Sequence, residues 1–245
     1  MGRVIALSDI DEARFGIRTA KVSGLTGEYL PEALSFCERE GVRFLIARCP
    51  ASDLALVHRL EQDGFLLMDT LVYYRHKDLD STPLEADPEG LTIRPVEEGE
   101  EPLVRAIAAQ SFHSYNGHYH ADPRLNAGDC DEAYNDWAMR CCALRVQGTN
   151  EVLVADALEG LLGFLTLRIN TEDEAEVVLN GVAPAAQGRG IYRLLMIRAM
   201  EWSRDQGATS MIISTQVTNL AAQKTWVRLG FEPFGSYYTF HRWFD

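Results

Sequence analysis

No stretch of the 245 residues is apolar for long enough to cross a bilayer. A membrane-spanning helix takes about 20 such residues, so none is expected. Basic residues are scarce: 23 Lys and Arg stand against 36 Asp and Glu, a net charge of −13. Nucleic acid is held by clustered Lys and Arg, so a nucleic-acid partner is not expected either. The five cysteines, Cys37, Cys49, Cys130, Cys141 and Cys142, include no C-x-x-C pair and are odd in number. They read as reduced thiols of a cytoplasmic protein rather than as a disulfide framework. A nucleophilic cysteine would need a neighbouring His, which spacing alone does not supply. The start of the chain carries acidic residues early and has no apolar h-region, so no signal peptide is expected. What remains is a chain with 47% apolar and 24% charged residues, enough to build a sizeable core.

Residues 79–90 (LDSTPLEADPEG) have no periodic apolar face and are rich in Pro, Asp and Glu. They read as a linker between a first unit, residues 1–78, and a second, residues 91–245. In the first, helices are expected over 31–40 and from a cap at Ser52 or Asp53 to Gly64, with strands over 43–48 and 65–75. In the second, strands are expected over 91–96, 152–156, 163–169, 176–182, 210–215 and 237–243. Helices are expected over 102–112, 134–142, 190–206 and 219–229. Residues 58–76 and 225–242 echo one another: each is a helix ended by Gly-Phe, then a strand with a Tyr-Tyr pair. The first unit therefore reads as a half-copy of the second.

The chemistry is concentrated in Val182-Ala-Pro-Ala-Ala-Gln187-Gly188-Arg189-Gly190-Ile191-Tyr192. A strand ends, and two glycines open a long helix. Glycine lets a backbone approach a ligand closely. The free N–H groups and positive dipole end of a helix start suit a phosphate. Arg189 adds a cation. A tight strand-to-helix turn with no ligand would look much the same.

Gln187-Gly188-Arg189-Gly190 resembles the Gln/Arg-x-x-Gly-x-Gly/Ala coenzyme A motif of the GNAT superfamily. Asn219-x-x-Ala222-x-x-x-Trp226-x-x-x-Gly230-Phe231 is similar to the last helix of that family. The resemblance covers residues 91–245. It implies an α/β (α+β) GNAT fold with a mixed, splayed central sheet, preceded by a smaller partial GNAT-like unit. It implies acetyl-CoA as co-substrate, its pantetheine arm paired with the backbone near Val182. Its pyrophosphate would lie on the loop of Gln187, Gly188, Arg189, Gly190, Ile191 and Tyr192, and Asn219 and Trp226 would face the arm. Two positions depart from the family pattern. Tyr192 stands where Gly or Ala is usual, so its ring must turn away from the phosphates. Trp226 stands where a Tyr protonates the departing thiolate, and an indole N–H does not give up its proton. Tyr237 and Tyr238 are stand-ins with no positional support.

Ala13-Arg14-Phe15-Gly16, Gly64-Phe65, Phe112-His-Ser-Tyr, Asp122-Pro123 and Tyr134-x-x-Trp137 resemble the TDP-fucosamine N-acetyltransferases more faintly. That resemblance implies Asp69 as the catalytic carboxylate facing the amine; a solvated strand residue is the alternative. The loop His113–Asp122 carries three His. It can be read as a substrate loop with His118, Tyr119 and Asp122 as contacts, as a plain surface loop, or as a metal site, and no metal is expected. The expected activity is transfer of acetyl to a primary amine of an amino sugar, with a nucleotide-linked sugar favoured. A polyamine, an amino acid, a protein amine, or a non-catalytic acyl-CoA-binding module are the competing readings. The expected partner is a small-molecule amine, and a homodimer is left open.

Overall fold

The computed structural model describes residues 4–83, 85–113, 115, 117–146 and 148–244. In chain order the elements are β1 (Val4–Leu7), α1 (Asp9–Phe15), β2 (Thr19–Ser23), α2 (Leu30–Arg39), β3 (Phe44–Pro50), α3 (Leu54–Gln62) and β4 (Leu66–His76). They continue as β5 (Leu91–Pro95), α4 (Glu101–Phe112), α5 (Ala127–Ala143), β6 (Asn150–Ala157), β7 (Gly160–Thr171) and β8 (Glu174–Val182). The last are α6 (Ile191–Asp205), β9 (Ser210–Gln216), α7 (Leu220–Arg228) and β10 (Glu232–Trp243).

Local chemistry sets most boundaries. Asp53 caps α3 by accepting from the Leu56 N–H at 3.1 Å, and Asn219 caps α7 by accepting from Ala222 at 3.3 Å. Two expectations are corrected. Helix α5 starts at Ala127 rather than Tyr134, because Asn126 accepts from the N–H groups of Gly128 and Asp129. Its first turn has no apolar stripe to betray it. Strand β10 starts at Glu232 rather than Tyr237, passing through an irregular register at Pro233–Gly235.

All ten strands form one mixed sheet, in the order β1-β2-β3-β10-β4-β9-β8-β7-β6-β5. The pairs β2–β3 and β8–β9 are parallel and the others antiparallel. The echoed segments explain the centre of this order. Each is a helix ended by a positive-φ glycine, Gly64 at +81° and Gly230 at +90°, then a buried Phe and a strand. The two strands are exchanged: β4 pairs with β9 of the second half, and β10 pairs with β3 of the first. The halves therefore share one sheet, and a buried cluster joins Phe44 and Ile46 to Phe112, Tyr134 and Phe164. Residues 79–90 are pinned along α6. Arg198 donates to Asp87 and to the Glu85 carbonyl, both at 2.7 Å, and Leu79 is buried.

Candidate active site

The parallel ladder of β8 and β9 stops at Val177–Ile213, yet β8 runs on to Val182 and β9 to Gln216. The strands splay. Beyond Val177 the β9-facing edge of β8 has no ladder partner, and an extended ligand arm can pair with it. The loop after β8 folds back on itself: Gln187 Nε2 donates to the Val182 carbonyl at 3.2 Å. Gly188 and Gly190 both sit at φ +79°, and a Cβ at either would meet nothing within 4 Å. The loop is thus an open cradle. The backbone N–H groups of Gly188, Arg189 and Gly190 make no hydrogen bond among the described residues. Those of the first turn of α6 have no intrahelical acceptor. A diphosphate fits this set of donors. Arg189 is tied to Glu159 at 2.8 Å on the surface, so its charge is partly spent there.

Trp226 is 1% exposed, and its Nε1 donates to the Tyr192 hydroxyl at 2.7 Å. The Tyr192 ring therefore points at α7 and away from the loop, which removes the obstacle that a bulky residue would pose there. Asn219 is engaged twice, as the cap of α7 and through Nδ2 to Thr215 Oγ1 at 3.0 Å. Asn219, Ala222 and Trp226 line a cleft of about 800 Å³ together with Val178–Val182 and Gln187.

Residues 109–231, half of the chain, match the acetyltransferase (GNAT) family. The chain belongs to the GNAT acetyltransferase family. The spore coat polysaccharide biosynthesis protein SpsD of Bacillus subtilis is 24% identical over 202 residues, 82% of this chain and 66% of that protein. A mycothiol acetyltransferase of Rhodococcus erythropolis is 28% identical over 193 residues, 74% of this chain and 60% of that one. The chain thus spans less than two thirds of the length of either relative. The solved GCN5-related N-acetyltransferase from Sphaerobacter thermophilus superposes with a TM-score of 0.66 at 14% identity, over 98% of this chain and 76% of that one.

In this GNAT protein the cleft continues past the splay into the first half of the chain, where it is lined by Lys21, Arg48, Tyr73, His118 and Tyr119. Strand register sets the rows. Lys21, Ile46 and His241 stand opposite one another, and Arg48, Thr239 and Asp69 form the next row. Buried Asp11 anchors the far wall, accepting from Ser8, from Tyr119 at 2.7 Å and from Lys21 at 2.5 Å. Burial works to raise its carboxyl, but Lys21 and these hydrogen bonds hold it below the usual range.

Three site expectations change. Asp69 does not line the cleft. One carboxylate oxygen accepts from Gln216 Nε2 at 3.2 Å, and the other is enclosed with no partner. Gln216 faces the cleft in its place and accepts from the Tyr115 hydroxyl. Asp122 is buried and turned from the cleft, accepting from His241 Nδ1 at 2.7 Å and Trp243 Nε1 at 2.9 Å. His118 and Tyr119 line the cleft as expected of a substrate loop; Ser114 and Asn116 of that loop lie outside the described residues. The loop histidines do not converge: His118 reaches His241, and His120 reaches Asp131. Burial pushes the Cys37, Cys49 and Cys130 thiols up to about 11, which suits no nucleophile. Lys21, Arg48, Tyr115, Gln216 and His241 went unread in the sequence. They sit singly on separate elements, and no motif joins them.

Burial is the main cause that holds His118 and His241 below the ordinary imidazole value, and Asp122 only partly offsets it for His241. Their contribution to stability is complete above about pH 6.5, where the unfolded imidazoles are neutral too. Below that, the unfolded chain takes up protons that the folded one refuses, so stability falls as pH drops toward the lowered values. The urea midpoint is expected to be lower at pH 5.5 than at pH 7.5, with a shallower drop in His118→Gln. Equal midpoints at the two pH values would mean that these imidazoles are not held neutral.

Proposed function

We propose that this protein moves an acetyl group from acetyl-CoA to the primary amine of an amino sugar that carries a nucleotide diphosphate. The observation behind the acceptor is the second half of the cleft. Arg48 lines it, half-buried, and its guanidinium has no ion pair or hydrogen bond among the described residues. In a chain with a net charge of −13 an unpaired arginine in a cleft favours an anionic ligand. Tyr73 and Tyr119 offer apolar faces beside it for a sugar ring. A relative named for polysaccharide biosynthesis is in keeping with this acceptor.

The donor would lie with its arm on the free edge of β8, its diphosphate on residues 187–192, and its sulfur end in the splay. The neutral amine attacks the thioester carbonyl; N–H groups of the β8 edge stabilise the oxyanion, and the thiolate leaves. The lack of any helix long and apolar enough to cross a membrane among the described residues, and five unpaired thiols, fit a cytoplasmic setting. Trp226 in place of the usual acid favours a second reading, a module that binds acyl-CoA without turnover.

Release of free thiol from acetyl-CoA with a panel of amines separates the two. Turnover of nucleotide-linked amino sugars above polyamines, amino acids and peptides is expected. Turnover of none, with acetyl-CoA still bound, would favour the binding module. Arg48→Gln is expected to raise KM for the nucleotide-linked sugar roughly 10-fold or more, the loss of one charge-assisted hydrogen bond of about 1.5–3 kcal/mol. KM for the free amino sugar should change little. An equal change for both acceptors would remove the anion from the reading.

A further inference from the structure

Asp122, His241 and His118 form a buried chain of hydrogen bonds that ends in the cleft. Asp122 Oδ2 lies 2.7 Å from His241 Nδ1, and His241 Nε2 lies 2.9 Å from His118 Nδ1. Trp243 Nε1 and the Arg124 N–H hold the carboxylate from behind. A carboxylate accepts only, so His241 Nδ1 carries the proton. A neutral His241 then accepts at Nε2, so His118 Nδ1 donates to it. This leaves the lone pair of His118 on Nε2. That atom has no partner among the described residues and is not enclosed, and His118 lines the cleft. Strand β10 lies two strands from β9, about 10 Å across the sheet. An acceptor laid over these strands spans from the thioester end of the cleft to His118.

We propose that His118 is the catalytic base, taking a proton from the acceptor ammonium at Nε2, and that Asp122 and His241 are positioning residues that fix its tautomer. This rests on the proposed acetyl transfer and assigns the base that Asp69, closed off behind Gln216, does not supply. The ammonium gives one proton to His118, directly or through one water, and becomes a neutral amine. Its lone pair forms the C–N bond, the C–S bond breaks, and the second N–H proton goes to the departing thiolate. His118 later returns its proton to solvent.

The charges facing His118 agree with this part. Lys21 from β2, Arg48 from β3 and His241 from β10, with His120 of its own loop, all disfavour a second positive charge. Asp11 and Asp69 favour charge on His241. His118 therefore stays neutral through pH 7, and its conjugate acid gives the proton up readily.

Two experiments test the proposal. His118→Ala is expected to lower kcat/KM at pH 7 by roughly 10²-fold, within the range for a lost general base. Acetyl-CoA affinity should be unchanged, and the deficit should shrink toward pH 9.5, where the amine is already neutral in solution. Asp122→Asn should lower kcat with KM nearly constant, because an amide can turn His241 into its other tautomer. A His118→Ala deficit that is equal at pH 6.5 and pH 9.5 would overturn the base role. Nitrogen NMR of the wild-type histidines needs no acceptor. It should find His118 protonated on Nδ1 with a bare Nε2 at pH 7. A proton on Nε2 would overturn the proposal even if no amine in the panel is turned over. Failure of every amine, with Nε2 bare, would instead count against acetyl transfer.

Discussion

Gly190→Val is expected to lose roughly 10²- to 10⁴-fold in acetyl-CoA affinity, from two charge-assisted hydrogen bonds of about 1.5–3 kcal/mol each. Gly190 sits at φ +79°, where a β-branched residue is a steric outlier. A Cβ there would touch nothing, so the strain is in the backbone and not in a clash. The loop relieves such strain, about 1–3 kcal/mol, by turning the peptide. Turning it moves the N–H groups of Gly190 and Ile191, the donors that would hold the diphosphate. The loop is exposed and outside the core, so the melting temperature of the free protein should barely move. Gly188, at the same φ, should behave alike. Calorimetry with acetyl-CoA checks both variants. Unchanged affinity in both would remove this loop from the donor site.

Trp226→Ala is expected to cost about 3–5 kcal/mol of stability, the range for a large aromatic deleted from a core. Trp226 is among the largest fully buried side chains, and it packs edge-on against Tyr74 with ring centres 5.3 Å apart. For a chain of this size each kcal/mol moves the melting temperature by about 2–4 °C, so a drop of roughly 10 °C should be seen. Trp226→Phe keeps most of the volume but takes the donor from the buried Tyr192 hydroxyl, at a cost of about 1–3 kcal/mol. The double variant Trp226→Phe with Tyr192→Phe should cost less than the two single changes added, because neither polar partner is then stranded. Turnover of Trp226→Phe, measured below its melting point, should stay within roughly tenfold of wild type, since the indole N–H is no proton donor. A much larger loss with unchanged acetyl-CoA affinity would give this hydrogen bond a part in the chemistry.

The sequence by itself determined what depends on a few consecutive residues. The caps at Asp53 and Asn219, the glycine pair at 188 and 190, and the start of α6 each follow from the conformation or hydrogen bonding of residues within one turn. For the same reason the donor loop was legible, and so was the need for Tyr192 to face away from it. The start of α5 was not legible, because a polar first turn has no periodicity. Tertiary structure decided which strands lie side by side, and with them the acceptor half of the cleft. The exchange of β4 and β10 brings Arg48, Asp69 and Thr239 into one row, though they come from three strands. His241 meets Asp122 across 119 residues of chain. These meetings depend on strand order and register, which local propensity does not encode. Side chains alternate along a strand, so a slip of β10 by one residue would turn His241 away and present Phe240 to the cleft instead. Burial of Phe240 on the other face of the sheet, against Leu45 and Leu60, resists that slip and keeps the histidine where His118 can reach it.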